Sequence, residues 1–209
     1  MLENNILAHY GKIEYWEDRY TRRSEPFDWY NVYENFKDKI AKHISKESKI
    51  LNVGCGNSRL SEDLYDDGYE DIQNIDFSTK VIEQMEERCK VKCPKMTFKV
   101  MDVLDMKDFQ AGEFNVVIDK GTLDSVLCGD NAVVNAEKMI SEVFRVLSPG
   151  GKFIVISYGD SEHRKKYFEG QGWNIAVEKI IKPATSVNAN LEENDPKNYH
   201  FIYIMTKQN

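Results

Sequence analysis

Cysteine is sparse in this 209-residue chain, and Cys55, Cys89, Cys93 and Cys128 stand at spacings that match neither a disulfide ladder nor a paired zinc hook. Only Cys89 and Cys93 are close, with no second pair elsewhere, so no metal is expected. The four histidines, His9, His43, His163 and His200, are equally scattered. No apolar run approaches the roughly 18 residues that cross a bilayer, which excludes a membrane-spanning reading. The opening MLENNILAHYGKIEYW has no basic start, apolar middle and small-residue cleavage site, so export is not expected and the cytoplasm is the default location. Positive charge is also in deficit. A formal net charge of −7 repels phosphate backbones, so nucleic acid is not an expected partner and a basic protein is a more natural one. There is no internal repeat and no low-complexity tract.

What is present reads as one domain over residues 1–209: an aromatic segment over 1–31 that serves as a lid, then a core over 32–209. Val32, Phe36, Ile40 and Ile44 recur at helical spacing and predict an amphipathic helix before the first strand. KILNV predicts that strand, followed by a glycine turn and a helix from about Ser58 to Asp67 that ends at Gly68. DIQNIDF, MTFKVMDV, EFNVVID and SPGGKFIVIS supply four more strands, with helices in STKVIEQMEERC and AVVNAEKMISEVFRVL. Such alternation implies a doubly wound α/β fold, a mostly parallel sheet with helices on both faces. WNIAVEKIIK and YHFIYIMTK, joined by a polar loop and no helix, predict an antiparallel pair at the C-terminal end.

The turn GCGNS offers two glycines where a dinucleotide fingerprint has three, with Ser58 in the third place. Between a strand and a helix, Gly54, Cys55, Gly56 and Asn57 let backbone amides approach an anionic group. Asp76 ends the next strand about 20 residues on, where a carboxylate can accept both ribose hydroxyls. The shortened turn favours an amino-acid tail over a pyrophosphate, and so S-adenosylmethionine over NAD. Asp102, at the end of the third strand, is placed to accept an adenine amino group with the Val103 backbone reading the ring edge; a solvated surface aspartate is the alternative. Asp119-Lys120-Gly121 closes the fourth strand, at the carboxyl edge where such sheets bind ligands.

GCGNS, IDFS, MDV and DKGTLDSV, each after its strand, resemble the seven-strand S-adenosylmethionine-dependent methyltransferases, and YWEDRY with PFDWY and DKGTLD resembles the branch containing lysine methyltransferases of translation elongation factor 1A. The resemblance runs from about Glu14 to Lys207 and implies a seven-stranded, Rossmann-like methyltransferase fold. Its implied cofactor is S-adenosyl-L-methionine, and its implied partner is a protein substrate like elongation factor 1A. It carries Trp16, Tyr20 and Trp29 over as binding positions in a segment folded across the cofactor, and adds Phe77 and Ser78 from IDFS. The same aromatics fit a hydrophobic cover that merely packs on the core. Arg19 is suited to the cofactor's carboxylate or to an exposed salt bridge. Lys120 lies at the cofactor edge by resemblance, or is a surface lysine. Asn52 stands where many members of the wider superfamily carry an acid, so no acidic contact to the methionine ammonium is assigned there.

Methyl transfer is an in-line displacement that needs alignment and a neutral acceptor more than a nucleophile. No catalytic residue is assigned; Asp119, Asp124 or Tyr158 could orient an amine, and for Asp124 and Tyr158 capping or surface roles serve as well. A protein lysine methyltransferase is the first expectation, a small-molecule methyltransferase the runner-up, and a cofactor-binding module without turnover a third.

Overall fold

The computed structural model describes residues 9–183 and 195–208. An N-terminal helix α1 (Ile13–Arg22) presents Trp16 and Tyr20 to the core. Residues 32–44 do not form the single helix expected from their apolar spacing. A 3₁₀ turn at Tyr33–Asn35 precedes the short helix α2 (Lys37–Ala41), and Phe36 between them has φ −138°. Tyr33 causes the change of phase: its ring is buried and its hydroxyl donates to Asp67 Oδ2 at 2.9 Å, so Tyr33 replaces Val32 in the buried stripe with Phe36, Ile40 and Ile44. Val32 is left 47% exposed.

The alternation then follows as β1 (Ile50–Val53), α3 (Leu60–Asp66), β2 (Ile72–Asp76), α4 (Thr79–Cys89), β3 (Thr97–Val100) and β4 (Phe114–Lys120). It continues through α5 (Thr122–Val126), α6 (Ala132–Val146), β5 (Leu147–Ser157), α7 (Ser161–Phe168), β6 (Trp173–Ile181) and β7 (Tyr199–Lys207). Gly68, at φ 92°, turns the chain after α3 as expected, with Tyr69 N–H returning to Leu64 O at 3.1 Å. Ser78 caps α4 by accepting the Val81 N–H, a contact worth about 1 kcal/mol. α1, α5 and α7 are additions to the helices read from the sequence.

The seven strands are ordered β3-β2-β1-β4-β5-β7-β6. β1 to β5 pair parallel, and β7 runs antiparallel to both β5 and β6, the arrangement anticipated for the C-terminal pair. Both faces of the central strands are buried. Ile50, Val116, Ile118, Ile154 and Ile156 fill the core on one side, while Leu51, Val53, Val117, Phe153 and Val155 fill the other. Such double burial explains why these strands read as unbroken apolar runs. The order reverses beside β1, and the crevice at that switch point, at the carboxyl ends of the strands, is where this architecture receives ligands.

Candidate active site

A cavity of about 840 Å³ opens over that switch point. One wall is the strand ends, the other an aromatic cover from residues 10–30. Gly54 and Gly56 leave β1 with φ 59° and 53°, in the left-handed region that suits glycine. A Cβ on Gly54 would penetrate Thr122 Oγ1, which itself donates to Val53 O at 2.9 Å, and a Cβ on Gly56 would stand 2.8 Å from the Tyr20 hydroxyl. The two glycines thus make the cleft narrow and leave backbone, not side chain, along its floor.

Asp76 faces this cleft from the end of β2. Its carboxylate accepts Gly56 N–H and Ser78 N–H, each at 3.0 Å. Burial raises its pKa to about 6 despite those two amides. Asn57, Phe77, Asp102 and Val103 also line the cavity, and Asp102 Oδ1 accepts Leu104 N–H at 2.8 Å, which orders the turn after β3. Asn52 lines it as well, with its amide donated to Ser61 Oγ at 2.8 Å and Asn74 Oδ1 at 3.2 Å.

The cover is a packed cluster. Trp16 stacks on Tyr20 at 5.7 Å between ring centroids and meets Trp29 edge-on at 6.2 Å, all three lining the cavity. Trp16 Nε1 donates to Tyr10 O at 2.7 Å, and Ser125 Oγ donates to the same carbonyl. α1 is fastened to α4 by Thr79 N–H to Glu17 Oε1 at 2.7 Å and by Gln84 Nε2 to Tyr20 O at 2.9 Å.

Three residues named from the sequence stand behind the cavity wall. Arg19 lays its guanidinium over Phe27 and Trp29, 4.9 and 5.6 Å from their centroids, and so braces the cover from outside. Ser78 is fully buried as the α4 cap. Asp119 is fully buried and accepts Thr122 N–H at 2.7 Å and Leu123 N–H at 2.9 Å, so both carboxylate oxygens start α5; burial lifts its pKa to about 7. Lys120 does line the cavity. Asp124 lines it too, and Tyr158, 60% exposed, stands at the rim with the Lys182 ammonium 4.2 Å from its ring centroid. The stretch from Cys128 to Asn135 contributes Cys128, Gly129 and Asn135 to the wall, whereas most of Pro183 to Asn198 lies outside the described residues.

Sequence reasoning gave Asp28 and Arg164 no role, and left Tyr30 among the aromatics of the cover without a binding position of its own. Asp28 pairs with Lys120 Nζ at 2.9 Å and accepts the Ser58 hydroxyl, while Lys120 also donates to Trp29 O at 3.2 Å. Burial alone would raise the Asp28 pKa, yet the Lys120 ammonium and the hydrogen bonds around it hold the carboxyl below its ordinary value; burial draws Lys120 downward. PFDWY held the signal for Asp28 and Tyr30, since both flank the tryptophan. Nothing in SEHRKKYF announced Arg164. The close cysteine pair is buried in the core, where loss of solvent raises the Cys89 pKa to about 11 and pushes Cys93 up too, so neither is a thiolate at neutral pH.

A doubly wound sheet with a glycine-floored cleft and an acid at the end of β2 is the architecture of the seven-strand methyltransferases. A solved S-adenosylmethionine-dependent methyltransferase from Methanosarcina mazei has the same fold, with TM-score 0.63 and 19% identity over 87% of this chain and 99% of the other. A family model described as a methyltransferase domain matches residues 44–203, and the chain belongs to that family. It is 40% identical over 206 residues to the "eEF1A lysine and N-terminal methyltransferase" of Bos taurus, covering 95% of this chain but 29% of that protein. It is 32% identical over 169 residues to the "EEF1A lysine methyltransferase 4" of Mus musculus, covering 76% of this chain and 66% of that one. The chain thus spans under a third of the first relative's length.

Proposed function

We propose that this chain binds S-adenosylmethionine in the 840 Å³ cavity and transfers its methyl group to a lysine side chain of a protein, an elongation factor 1A-like factor being the leading substrate. The observation that carries the reading is Asp76, a buried carboxylate facing a cleft whose floor is two glycines. The residues present fit the cofactor: acidic acceptors at Asp76 and Asp102 for ribose and adenine, a glycine turn without side chains beside the cleft for the close approach of the amino-acid end, and aromatic rings for a cation. When bound, the cofactor supplies a methyl carbon activated by positive sulfur.

The chain's own part is alignment and dryness. Trp16, Tyr20 and Trp29 line the cover of the cleft, where they would exclude water and hold the cationic end by cation–π attraction. Gly54, Cys55, Gly56 and Asn57 would hold the amino-acid end, Asp76 would accept the ribose hydroxyls, and Phe77, Asp102 and Val103 would hold the adenine. A lysine amine, ordinarily charged below pH about 10.4, must shed a proton before it can attack, and desolvation in the same cleft favours that loss. The acidic balance of −7 suits a basic partner, and the names of the two relatives point to the factor itself. The cytoplasm is the proposed setting.

The test is labelled S-adenosylmethionine with cell lysate to which bacterially produced elongation factor 1A is added, read by mass spectrometry of the factor's peptides and of the metabolite fraction. Methyl groups on lysine are expected. Label that enters small metabolites and never the factor would overturn the protein reading and favour a small-molecule acceptor.

A further inference from the structure

Tyr30 is one of two described non-glycine residues with positive φ, 67°. Asn31 N–H donates to Trp29 O at 2.9 Å, so Tyr30 is the central residue of a three-residue turn of the rarer, strained hand. A bulky residue holds such a conformation only where its surroundings over-determine it, and such residues cluster at functional sites. The surroundings here are explicit. Asn31 Nδ2 donates to Ile181 O and His200 Nδ1, both at 3.2 Å, Lys120 donates to Trp29 O, and the Tyr30 ring fits against Gly121, where a Cβ would come within 3.3 Å.

The turn delivers the Tyr30 hydroxyl to Asp124 Oδ2 at 2.5 Å, and both residues line the cavity beside the end of β4. Asp124 is fully engaged. Besides Tyr30 it accepts Ser157 Oγ at 2.6 Å, Tyr158 N–H at 2.8 Å, and Arg164 Nε and Nη2 at 3.0 and 2.9 Å. A carboxylate has about four lone-pair sites, so this one has no capacity left to take a proton from an amine. Its effect on Tyr30 is directional: it fixes where the phenolic hydrogen points, and therefore where the remaining oxygen lone pairs point.

We propose that Tyr30 is the residue that receives the acceptor amine, with Asp124 as its positioning residue. The amine, having given its proton to water, donates one N–H to Tyr30 Oη and so aims its own lone pair across the cavity. That pair forms the new N–C bond as the C–S bond breaks and the bonding electrons remain on sulfur; the methylated ammonium later loses a proton to solvent. The assignment rests on the methyltransferase reading above and adds the acceptor's side of the cleft to it.

The test compares Tyr30→Phe and Ser157→Ala with the parent protein. Each removes one hydroxyl donor from Asp124, but only the first removes an acceptor for the amine. S-adenosylmethionine affinity is measured by calorimetry and kcat by methylation of bacterially produced elongation factor 1A. Tyr30→Phe is expected to keep cofactor affinity within about twofold and lose about tenfold in kcat, with Ser157→Ala losing less than about threefold. A Tyr30→Phe protein with kcat near the parent's, a loss equal to that of Ser157→Ala, or a loss of cofactor binding in step with rate overturns the assignment and leaves Tyr30 as part of the cover. A parent protein that binds the cofactor but methylates no lysine overturns the functional reading itself, and this assignment with it.

Discussion

Lys120, at the end of β4, and Asp28, in the segment that covers the cavity, form an ion pair of 2.9 Å with side chains only 4% and 11% exposed. Neither can be moved to water without opening the cover. Removing one partner of a buried pair strands the other charge, at a typical cost of about 3–5 kcal/mol. Asp28→Ala is therefore expected to lower the melting temperature by several degrees and to weaken S-adenosylmethionine binding together. Asp28→Ala with unaltered melting and affinity would show that the cover closes without this tie.

Asp76 gives the site a pH dependence. Its pKa of about 6 lies above the ordinary carboxylate value of about 3.9, so burial disfavours the charged form in the free protein. The sign for binding is the reverse of that preference: the ribose needs the charged acceptor, so affinity falls as pH drops through about 6 and levels off above 7. Calorimetry at pH 5.0 and 7.5 is expected to differ by about tenfold in Kd, with proton release on binding near pH 6. Asp76→Ala removes the acceptor, costs at least about tenfold at pH 7.5, and abolishes the dependence. A pH-independent parent affinity contradicts this role.

His200 sets a second, structural dependence. Its buried ring accepts Asn31 Nδ2 and packs 4.8 Å from the Tyr30 ring, and burial brings its pKa down to about 4. A folded value below the unfolded one, about 6.5, means stability that is complete above pH 6.5 and lost progressively as pH falls toward 4. His200→Gln, which keeps a polar partner for Asn31, is expected to flatten unfolding free energy against pH across that window. An unchanged slope assigns the acid sensitivity elsewhere.

Close backbone approach makes Gly11 diagnostic of the cover. Gly11 packs on Gly129 so tightly that an added Cβ would overlap the Gly129 Cα. Gly11→Ala is expected to lift the strap around Tyr10 and weaken cofactor binding, while the seven-stranded sheet keeps its circular dichroism. Trp29→Ala tests the same cover from inside the cavity. It is expected to weaken binding; an effect confined to melting temperature reduces Trp29 to packing.

Much of this fold was legible because its signals are local. Apolar runs buried on two faces, the glycine turn after β1, Gly68 after α3 and the Ser78 cap all sit within a few residues of what they control. The expected helix over 32–44 failed for an equally local reason, since Tyr33 rather than Val32 turns inward. α7 stayed hidden because SEHRKKYF buries only Phe168 and has no apolar stripe. The site divides along the same line. Gly54, Gly56, Asp76 and Asp102 follow their strands and could be placed by spacing, whereas the Asp28–Lys120 pair and the donors gathered on Asp124 come from distant segments that only folding brings together.

The cleft above β1, β2 and β4 is the proposed seat of S-adenosylmethionine. Calorimetric titration of the parent protein with S-adenosylmethionine and, separately, with NAD tests it most directly. Saturable one-to-one binding of S-adenosylmethionine with no heat from NAD is the predicted result. Binding of NAD in preference, or of neither, would show that the cleft is not an S-adenosylmethionine site.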